Sequence, residues 1–409
     1  MCSEEIMALG DDLHELRIDE KAGRGGHRKN NVMQDSFFNS PKSWSKRKHR
    51  LLGKYLPPFS AKVGSWAKLI YCIDGFAGAA KYEDGSAGSP LMMAQLSDKC
   101  ANWHNPVHLK LINVEADPDN YLSLVNITGS WEDKGIVENL PGAFGSHIPE
   151  IINKIGNAPA FFFIDPYGPT YVRFADLLSI LTREQRATEL IINFDADGLR
   201  RIADTMRTKA QTLKTIKAVK TNLGNVADIV GSNEWEERFA KQSLSTNERE
   251  EILLREYLKN LASYDYFVAA YAIRKAKGQH PKYFIVFCTR HPAGIVLMNS
   301  FIREEEDELL KESSKPSNQL LFPTMDVDVL SDEINQRREK LGGLLKYYLE
   351  NHRETTRGQI KKHFIFEQFG VFHDKDYNAV IKELIHAGKL LPRHGRKQIN
   401  DNEPLTYAP

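Results

Sequence analysis

Between residues 68 and 204, short apolar runs end in polar or small residues and alternate with segments of helical character. The runs are KLIYCIDGF (68–76), VHLKLINVEAD (107–117), PAFFFIDPYGP (159–169) and ELIINFDADGLRRIAD (189–204), with a shorter one in GIVENLPGAF (135–144). Runs this brief and this apolar read as strands covered on both faces, and strands joined through helices pair in parallel. The pattern predicts an α/β, doubly wound, Rossmann-like sheet. Ligands of such a sheet bind in the crevice outside the carboxyl ends of its strands.

The helical segments follow the same logic. SPLMMAQLSDKC (89–100) offers Ser89 as N-cap and Pro90 at the first helical position. PDNYLSLVNIT and SHIPEIINKIG follow their strands, and Phe174, Leu177, Leu178 and Leu181 recur at i, i+3, i+4 and i+7. After REEILLREYLKNLA (249–262), the runs YFVAAYAIRK (266–275) and KYFIVFCTR (282–290) predict a hairpin turning at Lys277, Gly278 and Gln279. An antiparallel hairpin there would close the edge of a mostly parallel sheet.

The flanks differ in character. Residues 1–42 are polar, with Gly23, Gly25 and Gly26 close together, and predict a flexible basic arm. From Lys21 to Lys54 there are ten Lys or Arg against one acid, Asp35. KSWSKRKHRLLGKYLPPF then predicts a helix capped by Ser43 or Ser45, apolar along Leu51, Leu52, Tyr55 and Leu56, and stopped by Pro57 and Pro58. Lys46, Arg47 and Lys48 are candidate phosphate contacts on it. The main domain is expected over 43–300 and an acidic linker containing SSKPSN over 301–340. Residues 341–409 hold three helical segments, a basic turn PRHGRKQ and a strand-like end, the pattern of a winged helix. That region nets three positive charges from Thr355 onward, and Arg393, His394, Arg396 and Lys397 could meet backbone phosphate. Winged helices also dock proteins.

Composition narrows the class. A chain of 409 residues with 41% hydrophobic and 27% charged residues is globular, and a net charge of +1 is no global polyanion signature. Its four cysteines form no CxxC pair, and His104, His108 and His291 show no zinc spacing, so neither a disulfide framework nor a metal is expected. The acidic start MCSEEIMALGDD is no signal peptide, and no apolar run nears the roughly 18 residues that span a bilayer. A cytoplasmic protein with no membrane partner is the expectation.

Four strand ends could carry chemistry. Asp74-Gly75-Phe76-Ala77-Gly78 is a small-residue turn that lets backbone approach a ligand, although its spacing is not the dinucleotide fingerprint. Its form resembles the D-x-F-x-G loop that binds S-adenosylmethionine (SAM) in many nucleic-acid methyltransferases. Glu115 is placed to accept ribose hydroxyls, with Asp117 the alternative; either could instead cap the next helix. Asp165-Pro166-Tyr167-Gly168 resembles the D/N-P-P-Y/F turn of amino-methyltransferases, with one proline in place of two. There the carboxylate orients an exocyclic amine and the aromatic ring stacks on a flipped base. Asn193, Asp195 and Asp197 lead into a run from Arg200 to Lys220 with seven basic residues and one acid, Asp204. Arg200 and Arg201 are candidate phosphate contacts, and a solvated helix face is the plainer alternative.

Taken in order, KRKHRLLGKYL, YCIDGFAGAAKYEDGSAGSPL, FFFIDPYG, ELIINFDADGLRR, YFIVFCTRHPAGIVLMNSFI and the C-terminal segment resemble the three-Cys-motif partner (TcmP) family from about residue 46 onward. The resemblance implies a methyltransferase-like protein whose three-cysteine motif belongs to a partner protein, in a phage-defence or mobile-element setting. More distantly, the block order resembles adenine-N6 methyltransferases of ribosomal RNA. Three functions stay open. The first is SAM-dependent methylation of a base amine in DNA or RNA, with Asp74, Gly75, Phe76, Gly78 and Glu115 on the cofactor and Asp165, Pro166 and Tyr167 on the target. The second is a non-catalytic, nucleic-acid-binding subunit of the three-Cys-motif protein. The third is a metal-dependent nuclease using Asp74, Glu115, Asp165 and Asp195.

Overall fold

The computed structural model describes residues 7–9, 43–166, 172–207, 212–274, 279–313, 329–393 and 400–408. Its strands are β1 (Met7–Leu9), β2 (Leu69–Asp74), β3 (His108–Glu115), β4 (Val137–Pro141), β5 (Ala160–Ile164), β6 (Thr188–Phe194), β7 (Phe267–Ile273), β8 (Tyr283–Thr289), β9 (Glu354–Thr356), β10 (Leu390–Pro392) and β11 (Pro404–Tyr407). Its first helices are α1 (Ser43–Gly64), α2 (Ser89–Ala101), α3 (Pro118–Glu132), α4 (Phe144–Ile155), α5 (Phe174–Leu181), α6 (Ala196–Ala203) and α7 (Leu213–Val230). Then follow α8 (Glu236–Phe239), α9 (Thr246–Ala262), α10 (Pro292–Ser313), α11 (Val329–Asn351), α12 (Arg357–Glu367) and α13 (Asp374–His386).

The chain divides into two compact units, and the division cuts through β7 and β8. The larger unit falls within Asp11–Tyr264 and Ala272–Val286. With its parts of β7 and β8, its sheet runs in the order β7-β8-β6-β5-β2-β3-β4. The pairs β4–β3, β3–β2, β2–β5 and β5–β6 are all parallel. This is the expected Rossmann-like sheet. Successive connections run outward from β2 to β4 on one side and from β5 to β6 on the other, so the switch point lies between β2 and β5. The Lys282 N–H donates to the Ile273 carbonyl at 2.7 Å and closes the terminal hairpin. The predicted turn residues Lys277 and Gly278 lie outside the described residues.

Every residue of β5 is buried, and Phe161, Phe162 and Phe163 fill both sides of the sheet. Each such side chain contributes roughly 1.5–3 kcal/mol by leaving water. The same arithmetic corrects the expectation for α1. Pro57 and Pro58 do not stop this helix; it continues to Gly64. Leu51, Leu52, Tyr55, Leu56, Phe59 and Val63 form one buried stripe that spans the prolines. Their burial outweighs about 3 kcal/mol for each interior proline. Tyr55 also donates to Glu189 at 2.7 Å, a buried tie between α1 and β6. Ser89 is likewise not the cap of α2: Gly88 holds that position without a side-chain bond, and Ser89 is buried in the first turn.

The smaller unit falls within Met1–Gly10, Asp265–Tyr271 and Phe287–Pro409. In it β1 pairs in parallel with β7, Met7 opposite Val268 and Leu9 opposite Ala270. The rest of the expected arm, 10–42, lies outside the described residues. The stretch expected as an acidic linker, 301–340, instead supplies the second half of α10 and the first half of α11, leaving only 314–328 outside the description. Asp307 on α10 accepts from Arg303 of the same helix at 2.9 Å and from Arg337 of α11 at 2.7 Å, so this acid, expected to be solvated, serves as a counter-charge between the two helices. Helices α11, α12 and α13 accompany an antiparallel sheet ordered β10-β11-β9.

Candidate active site

The strand ends at the switch point collect three carboxylates. Asp74 closes β2, Glu115 closes the neighbouring β3, and Asp165 follows β5 on the other side. Asp74 is fully buried. Its Oδ1 accepts the Phe76 N–H at 3.1 Å, while its Oδ2 is buried without a hydrogen-bond partner. Burial pushes its carboxyl up to about 7, against the pull of the nearby Ser89 hydroxyl and the Phe76 N–H. A buried acceptor left open in this way is costly unless a donor visits it.

The turn after Asp74 is fixed by its small residues. A Cβ on Gly75 would lie 2.8 Å from the Phe144 ring. Gly78 has φ +61°, in the left-handed region, and a Cβ there would point into open space. The Gly78 N–H donates to Glu115 Oε2 at 2.6 Å, and Asp117 N–H donates to Oε1 at 2.7 Å. A carboxylate has about four acceptor sites, so half remain for a diol. Asp117 caps α3, accepting from the N–H groups of Asp119 and Asn120, whereas Glu115 caps no helix. The loop leads on towards α2. A turn held by the Lys81–Ala87 bridge intervenes and carries Tyr82.

Asp165 does not stand open. Lys48 Nζ lies 2.6 Å from both of its oxygens, and Asn193 Nδ2 donates to Oδ1 at 2.8 Å. The Lys48 and Asp165 side chains are only 10% and 14% exposed, so water screens the pair weakly. The ammonium also lies 4.9 Å from the centre of the Tyr283 ring, a cation–π contact. Next to it His49 packs near Tyr82, ring centres 5.6 Å apart. Burial lowers the His49 pKa to about 4, so its ring is neutral at physiological pH.

Several sequence candidates therefore change place. Lys48, expected on phosphate, is the counter-ion of Asp165. Arg47 is buried and donates to the Arg274 carbonyl at 3.2 Å; Lys46 alone of the three is exposed. Arg200 is held by Asp197, Asp204 and Glu250 at 2.5, 2.5 and 3.1 Å, and this commitment to three carboxylates explains why it does not face solvent as a phosphate contact would. Arg201 is exposed, and Asp195 caps α6 by accepting the Gly198 N–H. Arg393 is exposed in the smaller unit. Pro166 is described, whereas Tyr167, Gly168, His394, Arg396 and Lys397 lie outside the described residues. Four of the carboxylates grouped for a nuclease are thus each engaged differently: Asp74 in the core, Glu115 on backbone N–H groups, Asp165 on Lys48, Asp195 on a helix end.

Sequence reasoning missed Lys48, His49, Tyr82 and Tyr283 as neighbours of Asp165. One signal was available. Lys48 stands three, four and seven residues before Leu51, Leu52 and Tyr55, on the inward stripe of the helix. A shallow apolar groove between α1 and α2, lined by Leu52, Leu56, Met92 and Trp103 among others, contains none of the candidate residues.

No known family's sequence profile matches the chain, and no curated protein matches it. Solved structures do. An O-methyltransferase from Bacillus cereus in complex with SAH is 15% identical, covers 58% of this chain and 80% of its own, with TM-score 0.30. A putative rRNA-methylase from Clostridium thermocellum is 9% identical, covers 57% and 96%, with TM-score 0.29. The O-methyltransferase TomG from Streptomyces achromogenes in complex with SAM is 13% identical, covers 63% and 93%, with TM-score 0.27. The class rests on the sheet itself, a Rossmann-like α/β fold with carboxylates at its switch point.

Proposed function

We propose that this chain is a SAM-dependent methyltransferase acting on an exocyclic amine of a nucleic-acid base. The observation that carries the reading is the unpartnered, buried Oδ2 of Asp74 beside an open left-handed glycine and a half-engaged Glu115. These residues fit the cofactor. Asp74 accepts from its amino group, Gly78 leaves room for its backbone-side contact, and Glu115 accepts from its ribose hydroxyls. Bound there, SAM supplies an electrophilic methyl group on a sulfonium sulfur.

The remaining work falls to the next strands. Asp165 and Asn193 accept and orient the target amine once Lys48 has left the carboxylate, and the Tyr283 ring shields the spot from water. Such chemistry is mainly positioning in a desolvated place. Tyr167 stacks on the base in this reading, by its position in the D-P-Y turn. The helices and small sheet of the C-terminal unit act as a winged helix that contacts backbone phosphate through Arg393, Arg396 and Lys397. The TcmP resemblance supports a three-Cys-motif protein as partner, in phage defence or on a mobile element.

Calorimetric titration with SAM and with its demethylated product tests the cofactor site. Micromolar binding that Asp74→Ala abolishes is expected, followed by methyl transfer to DNA or RNA that Asp165→Ala abolishes without loss of SAM binding. A folded protein that binds neither compound sinks the reading. One observation favours a second one: the Lys48–Asp165 pair closes the target carboxylate. A non-catalytic subunit would keep that pair intact, and would co-purify with its partner while binding no SAM.

A further inference from the structure

With Arg200 consumed by carboxylates, the basic run after β6 presents its charge elsewhere. From residue 205 to 227 the sequence has five basic residues and no acid. Lys214, Lys217 and Lys220 on α7 are all exposed, and no described carboxylate pairs with them. Two large apolar side chains share this half of the helix, Leu213 at 86% and Ile216 at 51% exposure.

Helix stability does not explain the pattern. The first turn of α7 carries no acid, Lys214 there opposes the helix dipole, and lysines three apart repel one another. Departures from local rules with no packing gain are expected where a surface serves function. The helix is well founded at its other end, where Val226, Ile229 and Val230 are buried. Gly231 turns the chain at φ +95°, so close to Phe174 that a Cβ would lie 2.7 Å from the ring. The first half therefore projects from a fixed base.

We infer that the first half of α7 is a contact surface for the sugar–phosphate backbone of a nucleic acid. Lys214, Lys217 and Lys220 neutralise phosphates, and Leu213 and Ile216 pack on sugar or on an unstacked base. The three lysines span about 9 Å of helix axis, the reach of two or three successive phosphates. The chain leads to this ridge from the candidate site itself: β6 bears Asn193, which bonds Asp165, then come α6 and α7. A membrane surface fits less well, because an interfacial helix needs a continuous apolar face and this one offers two exposed apolar residues. The inference shares its ligand class with the proposed substrate, and needs no methyl transfer.

The test is fluorescence anisotropy on the full chain with labelled single-stranded DNA, single-stranded RNA and duplex DNA of about 20 nucleotides, across a salt series. A triple variant, Lys214→Gln, Lys217→Gln, Lys220→Gln, is compared with a control triple, Lys62→Gln, Lys99→Gln, Lys134→Gln, at exposed lysines elsewhere. Circular dichroism confirms that both fold. Three lost contacts to a single strand should lower the slope of log K against log salt by about 2, and the affinity about 100-fold near 0.1 M salt. The control should keep the wild-type slope. Wild-type binding that the α7 triple leaves unchanged overturns the ridge and spares the nucleic-acid reading. A wild-type protein that binds none of the three probes sinks both. Tighter binding to anionic lipid vesicles than to any oligonucleotide, lost in the α7 triple, overturns the assignment in favour of a membrane contact.

Discussion

Binding of SAM should depend on pH through Asp74. Its carboxyl, pushed up to about 7 by burial, is mostly protonated at mildly acidic pH. Asp165 and Glu115 raise it further, while Ser89 and the Phe76 N–H pull it down. A ligand amino group needs the carboxylate form. Affinity should therefore be level above pH 7 and fall about tenfold for each unit below it, since one unit is worth 1.36 kcal/mol. Between about pH 7 and 5 the loss approaches 100-fold. Binding near pH 6 should release close to one proton, seen in calorimetry as a heat that varies with the buffer's ionisation enthalpy. Asp74→Asn should bind weakly at every pH, with no slope. The same group shapes stability without ligand. From its ordinary 3.8 up to about 7, the folded chain keeps a proton that the unfolded chain has lost. Stability thus falls as pH rises through that window, by up to about 4 kcal/mol, and levels off above it. Asp74→Asn should remove this slope. Wild-type affinity that stays flat across this range, or an unaltered slope in Asp74→Asn, would refute the assignment of the open Oδ2 to the ligand.

Three further outcomes follow from the geometry. Lys48→Met and Asp165→Asn should each cost about 3 kcal/mol in urea unfolding, because each strands a weakly screened charge, and the double variant should cost less than the sum; simple additivity would mean that the pair does not form in solution. Arg200→Gln should lower the melting temperature by several degrees, having lost three carboxylate partners, while oligonucleotide affinity stays as in wild type; a large affinity loss in a stable variant would restore Arg200 to the phosphate surface. Gly78→Val should abolish SAM binding with a modest stability loss, since a β-branched residue resists the left-handed backbone; retained binding would show that the loop does not contact the cofactor.

The parallel sheet was legible because period and length leave few choices: AFFFI, short, aromatic and bounded by turn residues, fits a doubly covered strand, and the acids at 74, 115 and 165 mark where each strand stops. The terminal hairpin was legible in the consecutive runs 266–275 and 282–290, whereas the strand order, with its switch between β2 and β5, depends on long-range pairing that the sequence does not display. The proline stop failed at α1 because local propensity is a few kcal/mol and a buried stripe of six side chains is more. Lys48 and Arg200 failed for a related reason. A basic residue looks alike in sequence whether its partner is solvent phosphate or a carboxylate 117 residues away, and only tertiary packing decides. The linker expected at 301–340 failed similarly: Asp307 is a counter-charge for Arg303 and Arg337 inside helical packing.

If Asp165 receives the target amine as proposed, the lysine paired with it turns that recognition into an exchange. A side chain tethered to α1 meets its carboxylate at an effective concentration of millimolar or more, without diffusion. An entering amine is thus weighed against a resident one, and its apparent affinity is lowered by that competition. A neutral apolar group has nothing to trade and leaves the pair intact. A ligand that brings both a hydrogen-bond donor for Asp165 and an anion for Lys48 rehouses both halves at once, and for it alone the exchange is even.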